Sequence, residues 1–341
     1  MTRKKVYNRI YDEKIWMEVS KFNKRLMEDF LLEMKSQKKK DSSIKQYRND
    51  LRILFIYIYK ELDNKDISKL KKKHFRNYSL WLSEDCGMSN ARVSRLLSAL
   101  RSMLEYATNE EDWEEEGLEV NYASKVKGLP KETVRQIHFL EDSQVEKIYN
   151  YLIEKEEYQK ACYLSLMYDS AGRRAEIAQI TKDGLLEGNV TNIVTGKRGK
   201  KFPLIYFSRS KKAIELWLNQ RGEDEIDSLW VVGNGATRRK ASYETLYAWV
   251  MNFRLILEEL EGEYIEINAH SFRHSALENM SIGEHYICRE LGKVKEDGSI
   301  EPKTFSLQEL KLLAHHSDLS TTDSYLKCKD NDMLMSAFGL N

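Results

Sequence analysis

The chain has 341 residues, 32% of them charged and 41% hydrophobic, with 16 glycines, 3 prolines and a formal charge of +1 from 55 basic against 54 acidic residues. At roughly 100–200 residues per domain this predicts two globular domains rich in helix. No run approaches the roughly 18 apolar residues of a membrane span, and no apolar leader core follows MTRKKVYNRI, so a membrane protein is excluded. Cys86, Cys162, Cys288 and Cys328 lie far apart with no CxxC, which argues against a disulfide framework or thiolate zinc site and predicts reduced thiols in the cytoplasm.

The near-zero total hides an asymmetry. Residues 1–109 hold 25 Lys and Arg against 14 Asp and Glu, an excess of 11, whereas residues 110–119, EEDWEEEGLE, hold seven acids and no base. A basic first third is the electrostatic footprint of a polyanion-binding module, and the acidic stretch behind it marks a boundary.

A first helix is predicted over Glu18 to Lys35, with Phe22, Leu26, Phe30 and Leu31 inward. A second runs from Ser42 to Leu62, where Ile44, Tyr47, Leu51, Leu54 and Ile58 form one stripe and Ser42 or Ser43 serves as N-cap. HFRNYSLWLSE and ARVSRLLSALRSMLEYA supply two more helices. The second of these buries Val93, Leu96, Leu97, Leu100 and Leu104. Residues 1–118 thus read as a basic helical module in which Lys45, Arg48, Arg92, Arg95 and Arg101 face outward as candidate contacts to a polyanion. Gly128-Leu129-Pro130 breaks helix within a linker over 119–139.

The second domain, 140–341, opens on the helices EDSQVEKIYNYLIEK, with Glu141, Asp142 or Ser143 as cap, and YQKACYLSLMYDSAG. GNVTNIVTGKRGKKFPLIYF then reads as a hairpin around a Gly196–Gly199 turn, with room for a third strand. Helices resume through KKAIELWLNQ, YETLYAWVMNFRLILEEL, HSFRHSALENM and LQELKLLAHH. The fold class expected is mainly α with a small antiparallel β-sheet.

There is no GxxxxGK[ST] phosphate loop and no GxGxxG after a strand. His270 and His274 share the helical spacing of zinc ligands, but the Glu of HExxH is missing and no third ligand is near in sequence. What remains is a set: Arg173 and Arg174 at a small-residue break, Lys197 in a turn, His270 and Arg273 on one helical face, and His316 nine residues before Tyr325. Each alone is a commonplace surface residue. Together they suit phosphoryl transfer without metal, because arginine forks match phosphate oxygens, lysine protonates a departing alkoxide, and histidine accepts a proton near neutral pH. A tyrosine hydroxyl, with an ordinary pKa of about 10, needs such cationic neighbours before it attacks phosphorus.

With those residues assembled, the chain from about Lys21 onward resembles the tyrosine recombinase (phage integrase) family. SAGRRAEI is similar to the family's first arginine box, TGKRGKKFPL to its lysine hairpin, HSFRH to its H-x-x-R box, and HHSDLSTTDSY to its final His-to-Tyr segment. The N-terminal module resembles the family's core-binding domain, which closes a clamp on duplex DNA with the catalytic domain.

The resemblance implies a site-specific recombinase or integrase serving a phage or mobile element. Arg173 and Arg273 would bind the scissile phosphate, Lys197 would protonate the leaving 5′-oxygen, and His270 would accept the tyrosine proton or bind phosphate. His316 would donate to the phosphate, Tyr325 would form a 3′-phosphotyrosyl link, and Glu176 would support Arg173. It also implies no cofactor, metal or ATP. The implied partners are a specific double-stranded DNA site and three further copies in a synaptic homotetramer, with accessory DNA-bending proteins as a further partner class, all in the cytoplasm. Alternatives that share the residues are a type IB topoisomerase-like enzyme and a non-catalytic DNA-binding regulator.

Several positions depart from the family pattern. Ala171 stands where glycine is usual, and a register shifted by one would make Arg174 the catalytic arginine. Lys200 and Lys201 compete with Lys197, and His315 replaces the glycine before His316. An insertion spanning 281–305 carries a hairpin with Asp297-Gly298 at its tip. The segment after Tyr325, DMLMSAFGLN, is expected to form a short apolar helix.

Overall fold

The computed structural model describes residues 6–130, 138–185 and 188–326. The chain divides into two compact units between residues 136 and 137. Both are helical, and sheet is confined to two-stranded antiparallel ribbons.

In the first unit, α1 (Val6–Ile10) and α2 (Glu13–Glu18) lead into the long helices α3 (Lys21–Ser36) and α4 (Asp41–Glu61). These are followed by α5 (Lys72–Leu80), α6 (Asn90–Ala107) and α7 (Glu111–Glu115). Most of the predicted stripes are buried: Leu26, Phe30 and Leu31 on α3, Leu51, Leu54 and Ile58 on α4, and Val93, Leu96, Leu97, Leu100 and Leu104 on α6, whereas Phe22, Ile44 and Tyr47 are half-buried against that core. Burying such apolar side chains is the main source of helix stability here, at roughly 1.5–3 kcal/mol for each fully enclosed Leu or Ile. The α4 N-cap is Lys40, without a side-chain cap, so Ser42 and Ser43 lie inside the first turn. Beyond the acidic segment the chain is not free linker, because Leu118, Ala123 and Val126 are buried in the same core.

In the second unit, α8 (Asp142–Glu154) starts at Glu141, whose side chain and that of Gln144 cap each other's backbone. Helix α9 (Tyr158–Asp169) is buried on every side from Ala161 to Asp169 and forms the centre of this unit. Packed around it are α10 (Arg174–Ile177), α11 (Ser208–Arg221) and α13 (Ala269–Ile282). Between them, β1 (Val194–Thr195) and β2 (Lys201–Phe202) form the predicted hairpin, extended by an isolated bridge from Val190 to Ile205. A second ribbon, β3 (Val231–Val232) with β4 (Arg239–Lys240), leads into α12 (Tyr243–Glu261).

The insertion after α13 holds α14 (Tyr286–Glu290) and the ribbon β5 (Lys293–Val294) with β6 (Ile300–Glu301), turned by Gly298 at φ +80°. Phe305 N–H donates to Met280 O at 3.0 Å and ties the insertion's end back to α13. Then come α15 (Leu307–Leu313) and α16 (Leu319–Asp323). The helix expected after Tyr325 lies outside the described residues.

Candidate active site

The first arginine is placed by a break between α9 and α10. Ser170 Oγ donates to Leu166 O at 2.5 Å and accepts from Gly172 N–H at 3.0 Å, closing α9, while Ala171 takes a left-handed φ of +47°. Gly172 is required for space, since a Cβ there would lie 2.8 Å from both Ile177 Cδ1 and Ser170 Oγ. The chain re-enters helix with Arg173 as N-cap. Its N–H donates to Glu176 Oε2 at 2.8 Å and its Nη1 to Oε1 at 2.9 Å, and Glu176 is buried. Arg174 turns away onto aromatic faces, 3.8 Å from the Tyr243 ring centre and 4.8 Å from that of Tyr247.

The lysine hairpin is fastened to this same turn. Gln179 donates to Thr195 O at 3.0 Å and accepts from Thr195 N–H at 2.9 Å. A Cβ on Gly196 would meet the Phe202 ring at 2.7 Å and Glu176 Oε1 at 3.2 Å, so only glycine lets the strand approach. Lys197 is exposed at the following turn and shares a cleft of about 310 Å³ with Arg173, Arg198, Lys200, His315 and His316. Lys200 lines that cleft too, so the two lysines remain candidates side by side, whereas Lys201 pairs in β2.

Helix α13 begins at Asn268, whose Oδ1 accepts from His270 N–H at 2.9 Å. His270 is exposed on its first turn, while Arg273, one turn on, is buried. Arg273 Nη1 donates to Ala171 O, and Nη2 donates to Ala314 O at 2.8 Å and lies 2.6 Å from His316 Nε2. Its Nε is buried with no acceptor. His316 is held on its other nitrogen by Thr322 Oγ1 at 2.9 Å, and the His315 ring stacks on Phe202 at 3.7 Å. Tyr325 completes the group, its ring centre 5.2 Å from the Arg273 guanidinium and 4.9 Å from the His316 ring.

So many cations in one place shift the titrations. Burial, then Arg173, lowers the Arg273 pKa to about 10, opposed by Tyr325 and Glu176. Burial and the same two guanidiniums, led by Arg273, lower His316 to about 3, so the ring is neutral at physiological pH. His270 is lowered by desolvation, then by Arg273, Arg173 and Arg174. These are the conditions of a site built to receive an anion: surplus positive charge, an unpaired buried donor, and neutral imidazoles.

Arg173, Lys197 and His316 therefore line one cleft, Glu176 is bonded to Arg173, and Arg273 and Tyr325 pack against His316, with His270 at the start of the helix that carries Arg273. Two supporting residues were not singled out by their sequence pattern. His274 stacks on Tyr325 with ring centres 4.1 Å apart and its Nδ1 lies 3.1 Å from Tyr325 O, while Thr322 orients His316. The helical spacing of His270 and His274 was the available signal for the first, and it reads more readily as metal ligation. In this state Arg273 donates to His316, so His316 Nε2 acts as an acceptor and is not positioned as a donor.

The basic residues of the first unit behave differently from one another. Lys45 is exposed, and Arg48 pairs with Glu28 at 2.8 Å. Arg92 and Arg95 converge on the buried carboxylate of Asp50 at 2.8 and 3.1 Å. Arg101 is occupied internally, donating to Ala123 O at 3.2 Å and Val126 O at 2.8 Å.

The model of the phage integrase family matches residues 138–284, the stretch that carries Arg173, Lys197, His270 and Arg273. Over its whole length the chain is similar to the SPbeta prophage-derived recombinase-like protein YomM of Bacillus subtilis (strain 168). The two are 26% identical over 332 residues, covering 93% of this chain and 91% of the relative. Residues 138–284 are thus similar to the phage integrase family, and most of the chain to a recombinase-like relative.

Solved tyrosine recombinases share the fold. XerH site-specific recombinase bound to palindromic difH substrate superposes with a TM-score of 0.63 at 16% identity, covering 86% of this chain and 79% of the other. A lambda integrase tetramer bound to a Holliday junction gives 0.62 at 12% identity, covering 89% and 76%. At these identities the likeness is one of fold. No described helix is long and apolar enough to cross a membrane.

Proposed function

We propose that the protein is a site-specific DNA strand transferase, an integrase that moves a phage or mobile element. Tyr325 Oη attacks the scissile phosphodiester. Arg173 and Arg273 take the non-bridging oxygens, Lys197 protonates the departing 5′-oxygen, and a 3′-phosphotyrosyl link conserves the bond energy. A 5′-hydroxyl of the exchanging strand then attacks that link, the proton returns to the tyrosine, and the strands are rejoined with no net hydrolysis.

The observation that carries this reading is the convergence of Arg273, His316 and Tyr325 beside the Arg173–Glu176 turn, with Arg273 Nε buried and unpaired. Arg173 fits the first role better than Arg174, because its fork faces the cleft and Arg174 lies on two tyrosines. Phosphate would draw the Arg273 fork toward its oxygens and, by its charge, favour a proton on His316, which then donates to it. His270, on the first turn of the helix that carries Arg273, is the acceptor for the tyrosine proton. The division of labour proposed for the chain is a helical DNA-binding unit over 1–118 and a catalytic unit over 140–341 joined through 119–139. Family likeness to a tetramer on a Holliday junction supports a synaptic homotetramer on a specific duplex site.

The test is covalent capture. On nicked substrates built from the DNA junctions flanking the gene, the unsubstituted protein forms a 3′-phosphotyrosyl adduct and Tyr325→Phe binds without forming one. An adduct persisting in Tyr325→Phe overturns the assignment. Binding with no adduct from either protein makes it a regulator.

A further inference from the structure

Arg174 is the second guanidinium at the catalytic turn, and strand transfer as proposed leaves it without a task. It is half-buried and, among the described residues, has neither an ion pair nor a side-chain hydrogen bond. Its guanidinium carbon lies over two rings, 3.8 Å from the centre of Tyr243 and 4.8 Å from that of Tyr247. Both tyrosines stand on successive turns of α12 and are themselves exposed, at 43% and 44%. Stacking of this kind occupies the faces of a guanidinium and leaves its edge, with the N–H donors, free.

The surroundings favour an anion at that edge. No carboxylate neutralises Arg174, although Arg173 one residue earlier is paired with Glu176. Arg174 also acts on the cleft, for its charge is one of three that depress His270. The chain entering α12 is basic and exposed at Arg239 and Lys240, and Ser242 caps the helix by accepting from Thr245 N–H. A fixed, unneutralised fork this close to a phosphate-binding cleft has one ligand class that matches it, a backbone phosphate of the same duplex.

We propose that Arg174, packed on Tyr243 and Tyr247, is a phosphate-binding site for the DNA backbone beside the scissile phosphate, and that it sets the register of the duplex over Tyr325. The proposal rests on the strand-transfer reading and adds to it a contact that carries no chemistry. An arginine held by rings has little rotamer freedom left to lose, so it positions a phosphate more sharply than a free lysine does.

The experiment measures binding of the unsubstituted protein, Arg174→Gln, Arg174→Lys and the double variant Tyr243→Leu/Tyr247→Leu to the flanking-junction duplex over a range of salt. Arg174→Gln is expected to weaken binding about tenfold and to lower the slope of log affinity against log salt by about one. Arg174→Lys keeps the slope and loses part of the affinity, and the tyrosine variant loses affinity at constant slope. Methylphosphonate replaced singly at phosphates flanking the scissile one weakens the unsubstituted protein at one position and leaves Arg174→Gln indifferent there. An unchanged slope with the same methylphosphonate profile in Arg174→Gln overturns the phosphate site. Failure of the unsubstituted protein to form adducts is a different result, because it removes the strand-transfer reading.

Discussion

Arg273 Nη2 lies 2.6 Å from His316 Nε2, and the direction of that hydrogen bond fixes the state of both residues. A guanidinium has no lone pair to offer, so His316 accepts at Nε2 and carries its proton on Nδ1, which donates to Thr322 Oγ1 at 2.9 Å. The pKa near 3 has the same origin, since a second charge beside Arg273 and Arg173 is disfavoured in a buried pocket. The pair is therefore a preformed anion receiver in which one guanidinium is parked on a neutral ring. His316→Ala removes both the rest position and the later donor, and adduct formation is expected to slow by about 100-fold, the scale of losing one preorganised donor. DNA affinity measured with the non-reacting Tyr325→Phe background should change far less. Equal losses in both measurements would make His316 a binding residue only.

His274 governs where the Tyr325 ring sits. It stacks on that ring at 4.1 Å, its Nδ1 lies 3.1 Å from the Tyr325 carbonyl, and Phe139 meets it edge-on at 6.0 Å. The stack and the carbonyl contact together hold Tyr325 against α13. His274→Ala should slow adduct formation by about tenfold or more with binding intact. His274→Phe, which keeps the stack, should recover most of the rate, and no recovery would mean that the imidazole nitrogen matters more than the stack.

The two places where the sequence departs from the family's glycines are both left-handed: Ala171 at φ +47° and His315 at φ +52°. A residue with a Cβ costs about 1–2 kcal/mol there, against about 0.5–1 kcal/mol for ordering glycine. His315 recovers part of its cost by stacking on Phe202, and Ala171 has only the packing of one buried methyl to offset its own. Ala171→Gly is thus expected to stabilise the catalytic unit by about 0.5–1 kcal/mol in chemical denaturation. A loss of stability would show that the buried Ala171 methyl contributes more by packing than its backbone costs.

These positions also show how far the sequence could be read. Amphipathic stripes such as Ile44 to Ile58 and Val93 to Leu104 state their own burial, because a period of three to four residues is a local property. The arginine, lysine and histidine boxes could be listed in order for the same reason. Which member of each box faces the cleft is only partly local: Glu176, three residues on, marks Arg173, but the tyrosines that hold Arg174 lie roughly seventy residues downstream. The β3–β4 ribbon escaped notice because two-residue strands have no period to detect. Arg92, Arg95 and Arg101 looked alike on a helical wheel, but Asp50 and the carbonyls at 123 and 126 that occupy them lie on other segments.

That difference among the first unit's cations is measurable. Arg101→Ala deletes two hydrogen bonds that anchor the segment after the acidic stretch, and should destabilise the protein by about 1–3 kcal/mol through the carbonyls left unpaired. Lys45→Ala removes an exposed charge and should leave thermal stability within about 0.5 kcal/mol. If Lys45 contacts DNA, its loss lowers the salt slope of binding by about one. The reverse pattern, a stable Arg101→Ala with a reduced salt slope, would place Arg101 on the DNA and its carbonyl contacts as incidental.

Acid should loosen the catalytic unit through its buried imidazoles. His285 is fully enclosed between Tyr168 at 4.4 Å and Tyr286 at 4.9 Å, with Nε2 unpaired, and burial, then Arg209 and Arg289, holds its pKa well below the usual value. A base whose folded pKa is depressed binds its proton more readily in the unfolded chain, so its stability is whole above about pH 6.5 and falls as the pH drops toward the folded value. Each such group contributes a slope of about 1.4 kcal/mol per pH unit, and His316 acts in the same sense down to about pH 3. Asp169 opposes them, because burial raises its carboxyl to about 6 and it takes up a proton in the folded state between about pH 6 and 4. Calorimetry of the catalytic unit's transition should therefore show stability declining below pH 6.5. His285→Phe preserves the stack and should flatten that decline by the weight of one proton, whereas an unchanged slope would mean that His285 remains neutral in the unfolded chain as well.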